Sequence, residues 1–290
     1  MTVAVGLAGA GPWARAFHAP VFAAGPETRL AGVWSRHPAN AADLAASFGT
    51  RACGSFAELL ERCEAVVFAM PPDAQAELAA RAARAGRAVL LEKPVALDVA
   101  GAEALAAAVD AAGVPSMVVL TNRFRPGVRD FLARAACLPL SGGRACQLTN
   151  EFRDGTFAHS PWRTRGGVLY NTGPHGLDLL DAALGPIKEI TSVLGPADFH
   201  ALTCRHEGGA VSQLTICGAV PGVGKRTVYE LYGTRGELRL DLSSLAGDAG
   251  QTRATLRAEF AEAVRQWRPH PVDVRRGLHL QRLLAQVAVV

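Results

Sequence analysis

The chain has 290 residues, of which 49% are hydrophobic and 19% are charged. Such a chain is too apolar for intrinsic disorder and can form one large domain or two ordinary ones. A net charge of +4 without a basic cluster argues against nucleic acid as the main partner, and no apolar run is long enough for a membrane helix. The six cysteines form no C-x-x-C pair and the first residues lack a basic flank, so we expect a cytoplasmic protein with free thiols.

Apolar strands and Ala-rich helices alternate through the first 120 residues. The predicted strands cover residues 3–8, 30–34, 65–70, 88–91 and 116–120, and the predicted helices cover 13–23, 40–48, 73–85 and 97–112. Because these strands are apolar on both faces and are joined through helices, they indicate a parallel sheet covered on both sides. We therefore predict an α/β protein whose residues 1–121 form a doubly wound Rossmann domain.

The pattern changes after residue 121, where short strands follow one another with turns between them. Strands are predicted at 144–152, 187–194, 199–205, 211–217, 227–232 and 237–241, and helices at 127–137, 173–184, 255–267 and 272–289. This order predicts an α+β domain over residues 122–290, built on a mostly antiparallel, open sheet. An open sheet face exposes apolar area, so we expect a homodimer or homotetramer.

A glycine-rich turn directly follows the first predicted strand. Gly9, Gly11 and Ala14 fit the pattern G-x-G-x-x-A, with Pro12 and Trp13 inside it, and the motif opens the first helix. Glycines at these positions let the backbone turn tightly and approach a pyrophosphate, whose charge meets the helix N-terminus. The motif predicts a dinucleotide-binding site formed by these five residues.

The second strand ends in Ser35 and Arg36, without the acidic residue that usually holds the ribose 2′-hydroxyl of NAD. A hydroxyl followed by a guanidinium suits a 2′-phosphate, because Arg offers two charge-assisted hydrogen bonds. We therefore expect NADP(H) to be preferred and NAD(H) to be possible as the cofactor. The alternative is an exposed loop that carries Ser and Arg incidentally.

Lysine is rare in this chain, since only three of its thirty basic residues are Lys: Lys93, Lys188 and Lys225. An ammonium can give up and regain a proton, whereas a guanidinium stays protonated. Lys93 follows Glu92 at the end of the strand 88–91, at the carboxyl edge where open α/β sheets bind ligands. This position makes Lys93 the lysine with the clearest chemical role.

Several motifs together resemble the glucose–fructose oxidoreductase / inositol dehydrogenase (Gfo/Idh/MocA) family. They are the G-x-G-x-x-A start, Met70-Pro71-Pro72-Asp73, Glu92-Lys93-Pro94, Arg123-Phe124-Arg125-Pro126, Trp162-Arg163 with Gly166-Gly167, Asn171-x-x-x-His175 and Tyr232-Gly233-Thr234-Arg235-Gly236. Each motif alone is modest, but the combination is specific and covers nearly the whole chain.

The resemblance implies NAD(P)-dependent hydride transfer at a secondary alcohol or ketone of a sugar, inositol or nucleotide-linked sugar. It implies that Lys93 stabilises the charge on the reacting oxygen and that His175 exchanges the proton. We expect Asn171 to belong with these two in the catalytic set and to contact substrate, and we also expect Arg123 and Arg163 to contact substrate. The cofactor site is expected to include Met70, Pro71, Glu92 and Lys93 as well as the glycine-rich turn.

The residues before His175 suggest the start of a helix. Thr172 is a plausible N-cap and Pro174 fits the first turn, so His175 is expected in the opening turn, where the helix dipole favours neutral imidazole. The alternative is a capping or core histidine. Asn171 replaces the Asp of many relatives, and because an amide accepts no proton, Asn171 can only orient the substrate or His175.

Two other functions stay open at this stage. A regulator or scaffold could bind the cofactor without catalysis, and a shortened relative could reduce a non-sugar substrate. Arg123, Arg153, His159 and Arg163 fall in segments expected to face the cleft, although each could equally be a surface residue. His200, His206, His270 and His279 show no metal-ligand spacing, so we predict no metal site.

Overall fold

This computed structural model describes residues 1–151 and 161–287, with the backbone alone described at 161–165. The chain divides into two compact units. The first contains Met1–Val119 and Arg253–His279, and the second contains Leu120–Thr252 and the chain from Leu280 onward.

The first unit contains a five-stranded, fully parallel sheet with strand order β2-β1-β3-β4-β5. Its strands are β1 (Val3–Ala8), β2 (Thr28–Trp34), β3 (Ala65–Phe68), β4 (Ala88–Leu91) and β5 (Ser116–Val118). All residues of β1, β3, β4 and β5 are buried, as expected for a sheet covered on both faces. The predicted doubly wound sheet is confirmed.

The helices of this unit lie between the strands. A π-helix (Ala14–His18) continues as α1 (Ala19–Ala23), followed by α2 (Pro38–Ser47), α3 (Phe56–Arg62), α4 (Pro72–Arg84) and α5 (Val99–Ala112). The α3 helix was missed by the sequence prediction. Its N-cap, Ser55, accepts a hydrogen bond from the Glu58 amide, so the Ser-x-x-Glu spacing was the signal that could have revealed it.

Two further helices, α8 (Ala249–Gln266) and α9 (Val274–Val287), were expected in the second domain. The structure instead groups Arg253–His279 with the first unit. The Val118 amide donates to the Val272 carbonyl at 2.8 Å, and Arg257 pairs with Glu27 at 2.6 Å. These long-range bonds explain why the division of the chain differs from the predicted single boundary at residue 121.

The second unit is built on a six-stranded sheet with strand order β11-β10-β6-β9-β8-β7. The strands are β6 (Leu140–Thr149), β7 (Ile187–Gly195), β8 (Phe199–His206), β9 (Val211–Cys217), β10 (Lys225–Gly233) and β11 (Gly236–Asp241). Every neighbouring pair is antiparallel except β6 and β9. The predicted mostly antiparallel sheet is therefore confirmed.

Two helices of the second unit precede and follow β6, namely α6 (Pro126–Ala136) and α7 (Pro161–Leu184). Residues alternate between buried and exposed along β8 and β9, so one sheet face is covered and the other is open. On the covered face, a Cβ added to Gly176 of α7 would lie 2.7 Å from Leu214 and 2.8 Å from Gln147. The absence of a side chain at Gly176 thus lets α7 approach the sheet closely.

Within the described residues, no helix combines the length and the apolar character that a membrane span requires.

The close pairing of β6 with its parallel neighbour generates a stability prediction. A Cβ on Gly142 would lie 2.3 Å from the Val211 carbonyl oxygen, whereas one on Gly208 would meet open space. We expect Gly142→Ala to lower the free energy of unfolding by about 1–3 kcal/mol, because the backbone must shift to relieve the overlap. Chemical denaturation measures this, with Gly208→Ala as the matched control; equal stability of the two variants would contradict the prediction.

Candidate active site

Four loops that follow β1, β2, β3 and β4 carry most of the predicted cofactor residues. Because these strands are parallel, all four loops emerge at the carboxyl edge of the sheet. The strand order reverses between β1 and β3, which is where doubly wound sheets form their ligand crevice. The glycine-rich turn follows β1 and Met70-Pro71 follows β3, so the two loops flank this crevice.

The glycine-rich turn has the geometry that a dinucleotide requires. Gly9 has φ +118°, and a Cβ there would lie 2.2 Å from the Ala69 carbonyl oxygen, so only glycine fits between β1 and the loop after β3. A Cβ on Gly11 would meet no atom within 4 Å, so the backbone is open to an approaching phosphate. The π-helix begins directly afterwards at Ala14, which directs amide groups toward this space.

The loop after β2 carries the residues expected to choose between the two dinucleotides. Arg36 is exposed, and Ser35 is half-buried and accepts a hydrogen bond from the His37 amide at 3.2 Å. Gly9 donates to the Trp34 carbonyl at 2.8 Å, which ties the end of β2 to the glycine-rich turn. Ser35 and Arg36 therefore follow directly a strand that is bonded to the predicted pyrophosphate site.

The Glu92-Lys93-Pro94 loop after β4 is held by the side chain of Gln75, a fully buried residue of α4. The Gln75 amide nitrogen donates to the carbonyls of Glu92 (2.8 Å) and Val95 (3.2 Å), and its oxygen accepts from the Glu92 amide at 2.8 Å. One side chain thus satisfies the main chain on both sides of Lys93. The main chain of the loop is therefore held in place on both sides of Lys93.

The Glu92 carboxylate lies among three donors. One oxygen is 2.6 Å from the Trp13 indole nitrogen and 2.7 Å from His18 Nε2, and the other accepts from the Lys93 amide at 3.2 Å. Burial raises the pKa of Glu92. This effect is outweighed by others that lower the pKa, namely the hydrogen bond and charge of His18, the charge of Lys93 and the hydrogen bond from Trp13. The net pKa lies below the ordinary 4.5, so Glu92 is ionised at neutral pH.

His175 lies well inside α7, which corrects the expectation of an opening-turn position. The helix runs from Pro161 to Leu184 and is interrupted at Gly167, where φ is +63° and ψ is −168°. The helical stretch that follows begins near Val168, whose amide donates to the Asp198 carboxylate at 2.6 Å. Thr172 and Pro174 are therefore helix-interior residues, and the argument that the helix dipole keeps His175 neutral is wrong.

The helical stretch after Gly167 places Asn171 and His175 on one face, since the two residues are four positions apart. Asn171 is buried and His175 is half-buried. The hydroxyl of Tyr229 donates to the His175 carbonyl at 3.3 Å and accepts from Gln147 at 2.8 Å. Burial and the nearby Asp178 carboxylate raise the pKa of Tyr229, so its hydroxyl stays protonated and anchors the helix at His175.

Arg123 is placed beside a buried acid. Its Nε lies 3.9 Å from Asp178, whose side chain is 1% exposed. A buried carboxylate requires a counter-charge, and Arg123 supplies one. Whether Arg123 also contacts substrate stays a prediction.

The remaining predicted substrate residues lie where less is described. Arg163 is in the first turn of α7, where the structure gives the backbone only, and Arg153 and His159 lie outside the described residues. In the part of the chain that is described, no group of three or more His, Cys, Asp or Glu side chains could hold a metal ion.

Three residues at this site were not among the predicted site residues. They are Gln75, His18 and Asp178. Asp178 lies three residues after His175, so helical spacing could have placed it on nearly the same face. No local signal connects Gln75 to a loop 17 residues further along the chain.

Two family models match the chain. The model described as "Oxidoreductase family, NAD-binding Rossmann fold" matches residues 3–120, and the GFO/IDH/MocA C-terminal domain model matches residues 142–239. The chain therefore belongs to the Gfo/Idh/MocA family of oxidoreductases. This confirms the family, the NAD-binding Rossmann fold and the oxidoreductase class that the sequence predicted.

Curated relatives act on sugars and inositol, as their names state. A dTDP-3,4-didehydro-2,6-dideoxy-alpha-D-glucose 3-reductase of Streptomyces antibioticus is 28% identical over 282 residues, covering 88% of this chain and 80% of the relative. An inositol 2-dehydrogenase of Rhizobium meliloti (strain 1021) is 35% identical over 200 residues, covering 68% of this chain and 59% of the relative.

Solved structures share the whole fold. GenD2 from gentamicin A biosynthesis, in complex with NAD, has a TM-score of 0.85 and 25% identity, covering 99% of this chain and 93% of that one. A levoglucosan dehydrogenase, in complex with NADH and L-sorbose, has a TM-score of 0.88 and 20% identity, covering 99% and 96%. Because the levoglucosan dehydrogenase is only 20% identical, the comparison with it shows a similar fold and nothing more.

The support of the Glu92-Lys93-Pro94 loop by Gln75 can be tested directly. In Gln75→Leu the Glu92 amide and carbonyl lose a buried partner, so we expect the free energy of unfolding to fall by about 1–3 kcal/mol. Gln266→Leu is the matched control, because Gln266 is exposed and bonds only a side chain of its own helix. Denaturant titration of both variants measures the difference in the free energy of unfolding. An unchanged midpoint for Gln75→Leu would show that the Gln75 hydrogen bonds do not stabilise the loop.

Proposed function

We propose that this protein transfers a hydride between a nicotinamide dinucleotide and a secondary alcohol or ketone of a sugar, inositol or nucleotide-sugar substrate. The observation that carries the proposal is the carboxyl edge of the parallel sheet. There the glycine-rich turn and the Glu92-Lys93-Pro94 loop follow strands separated only by β3, and the second loop is held by the buried Gln75. The names of the curated relatives support the class of substrate.

The residues that would hold the dinucleotide come from all four loops. Gly9, Gly11 and the helix start at Ala14 would hold the pyrophosphate, and Met70 and Pro71 would line the opposite side of the crevice. When bound, the nicotinamide ring supplies the chemistry of hydride acceptance or donation. The protein supplies orientation and the handling of the proton.

Lys93 is proposed to stabilise the reacting oxygen. Its ammonium can donate a hydrogen bond to an alcohol oxygen that becomes negative as its proton leaves, or to a ketone oxygen that gains charge during reduction. The main chain on both sides of Lys93 is fixed by Gln75, so the side chain starts from a rigid base. Such preorganisation is what makes electrostatic stabilisation effective.

His175 is proposed to exchange the proton with the substrate oxygen. Imidazole is suited to this task because its charge changes near neutral pH. Tyr229 fixes the helix backbone at His175, and Asn171 lies on the same helix face, where its amide can orient the substrate or the imidazole but cannot carry the proton.

The function is tested by following NADPH and NADH absorbance in both directions with myo-inositol, D-glucose, levoglucosan and UDP-N-acetylglucosamine. We expect turnover with at least one member of this panel. Binding of the dinucleotide without turnover on this panel or on wider sugar panels would instead favour a cofactor-binding regulator.

The proposed catalytic roles predict large losses of turnover. Lys93→Ala and His175→Ala should each lower kcat by roughly 10²-fold or more, with the Kd for the dinucleotide little changed. Lys188→Ala is the matched control, because Lys188 is exposed on β7 of the second unit. Steady-state kinetics and cofactor titration measure the two effects, and undiminished turnover in either variant would remove the role assigned to that residue.

We also propose a preference for NADP(H), based on Ser35 and the exposed Arg36 after β2. A guanidinium that forms charge-assisted bonds to a 2′-phosphate contributes about 1.5–3 kcal/mol. Arg36→Ala should therefore lower the NADP-to-NAD ratio of kcat/KM by about tenfold or more, whereas Arg235→Ala, at an exposed turn, should not change it. A wild-type preference for NAD above tenfold would contradict this part of the proposal.

A further inference from the structure

The Glu92 carboxylate connects three parts of the first unit that the proposed reaction uses. It accepts from the Trp13 indole of the glycine-rich turn, contacts His18 Nε2 and accepts from the Lys93 amide. Both the turn and the lysine loop therefore depend on the orientation of one carboxylate. The contact from His18 can set that orientation.

His18 is completely buried, at the end of the π-helix that follows the glycine-rich turn. Its ring lies 5.2 Å from Phe17, edge to face, and stacks on Phe22 with centroids 6.4 Å apart. In the π-helix the Ala19 amide bonds the Ala14 carbonyl, five residues back, so the turn holds one residue more than an α-helical turn. The π-helix backbone thus fixes the position of His18, and aromatic rings pack around its imidazole.

The environment of one His18 atom indicates that this residue does more than fill space in the core. Its Nδ1 is buried and has no hydrogen-bond partner among the described residues. A buried polar atom without a partner destabilises the fold, and a hydrophobic residue in the same aromatic pocket would avoid that cost. The contact that a hydrophobic residue could not make is the 2.7 Å bond from Nε2 to Glu92.

We propose that His18 is a positioning residue for Lys93, acting through Glu92. By donating from Nε2, His18 holds the carboxylate in the one orientation that also accepts from Trp13 and from the Lys93 amide. The proposal rests on the proposed function for its catalytic consequence, but the coupling between His18, Glu92 and Trp13 exists without any substrate or cofactor.

The electrostatics agree with this geometry. The titratable groups that act on Glu92 are His18, from the first helix, and Lys93, from its own loop. Burial alone would raise the pKa of Glu92, and the bond from His18 is the first of the opposing effects that lower it. Without His18, the carboxylate would therefore be protonated at a higher pH than in the wild type.

The test compares His18→Leu, which removes the donor, with His18→Gln, which retains an amide donor, and with Phe22→Leu. Phe22 packs against His18 in the same aromatic pocket but makes no side-chain bond to Glu92. Phe22→Leu therefore controls for loss of packing in this region. The readout in the cofactor-free protein is the indole N–H signal of Trp13 in ¹H–¹⁵N NMR spectra, assigned by its loss in Trp13→Phe and followed as a function of pH.

In the wild type we expect the Trp13 signal to titrate as Glu92 protonates, below pH 4.5. The midpoint should move to higher pH in His18→Leu, return toward the wild-type value in His18→Gln and stay unchanged in Phe22→Leu. His18→Leu should also weaken NADPH binding and lower kcat by about tenfold or more, with the KM for substrate little changed, because a misplaced Lys93 affects the reacting oxygen. Phe22→Leu should lower Tm while leaving kcat unaltered.

Two results would overturn the proposal. An unchanged midpoint in His18→Leu would show that His18 does not control Glu92. A shifted midpoint with unaltered kcat and unaltered Kd for NADPH would show that Glu92 does not position Lys93 or the turn. If the wild-type protein transfers no hydride, the proposed function fails, and the midpoint together with the NADPH Kd still decides the role of His18.

Discussion

The first unit depends on the geometry of a parallel sheet. All strands of such a sheet point the same way, so the loops after β1, β2, β3 and β4 emerge at one edge although they are separated by up to about eighty residues of chain. The reversal of strand order between β1 and β3 opens a crevice at that edge. This shared edge is what brings together the glycine-rich turn, Ser35-Arg36, Met70-Pro71 and Glu92-Lys93. Their spacing along the chain does not show it.

Side-chain to main-chain hydrogen bonds then give that edge its rigidity. The Glu92-Lys93-Pro94 loop has no regular secondary structure to pair its main chain. The Gln75 side chain instead bonds main-chain donors and acceptors that would otherwise be buried and unpaired. The Glu92 carboxylate is ionised although only 13% of its side chain is exposed, and removing a charge from water costs several kcal/mol unless it is compensated. His18, Trp13 and the Lys93 amide provide that compensation and, in doing so, connect the lysine loop to the glycine-rich turn.

The second unit uses a helix against a sheet to present its polar residues. Gly176 lets α7 lie close to β9, and the Tyr229 hydroxyl, which accepts from Gln147, donates to the His175 carbonyl from the covered face of the sheet. The buried Asp178 pairs with the half-buried Arg123 near the same stretch of helix. The face that carries Asn171 and His175 is thus supported by the sheet beneath it and not by a helix terminus.

The sequence by itself determined the class of each unit, the strands of both sheets within a few residues, and the motifs of the cofactor site, because periodicity and glycine spacing are local properties of the chain. The roles of Lys93, His175 and Asn171 came from the family resemblance and stay predictions. Only the tertiary structure decided where the stretch of α7 that carries His175 begins, since the Val168 amide at its start donates to Asp198, thirty residues further along the chain. It also decided that Arg253–His279 belongs with the first unit and that Gln75 and His18 act on Glu92. Each of these features depends on a bond between residues far apart in the chain, and such a bond leaves no pattern in the sequence until the chain has folded.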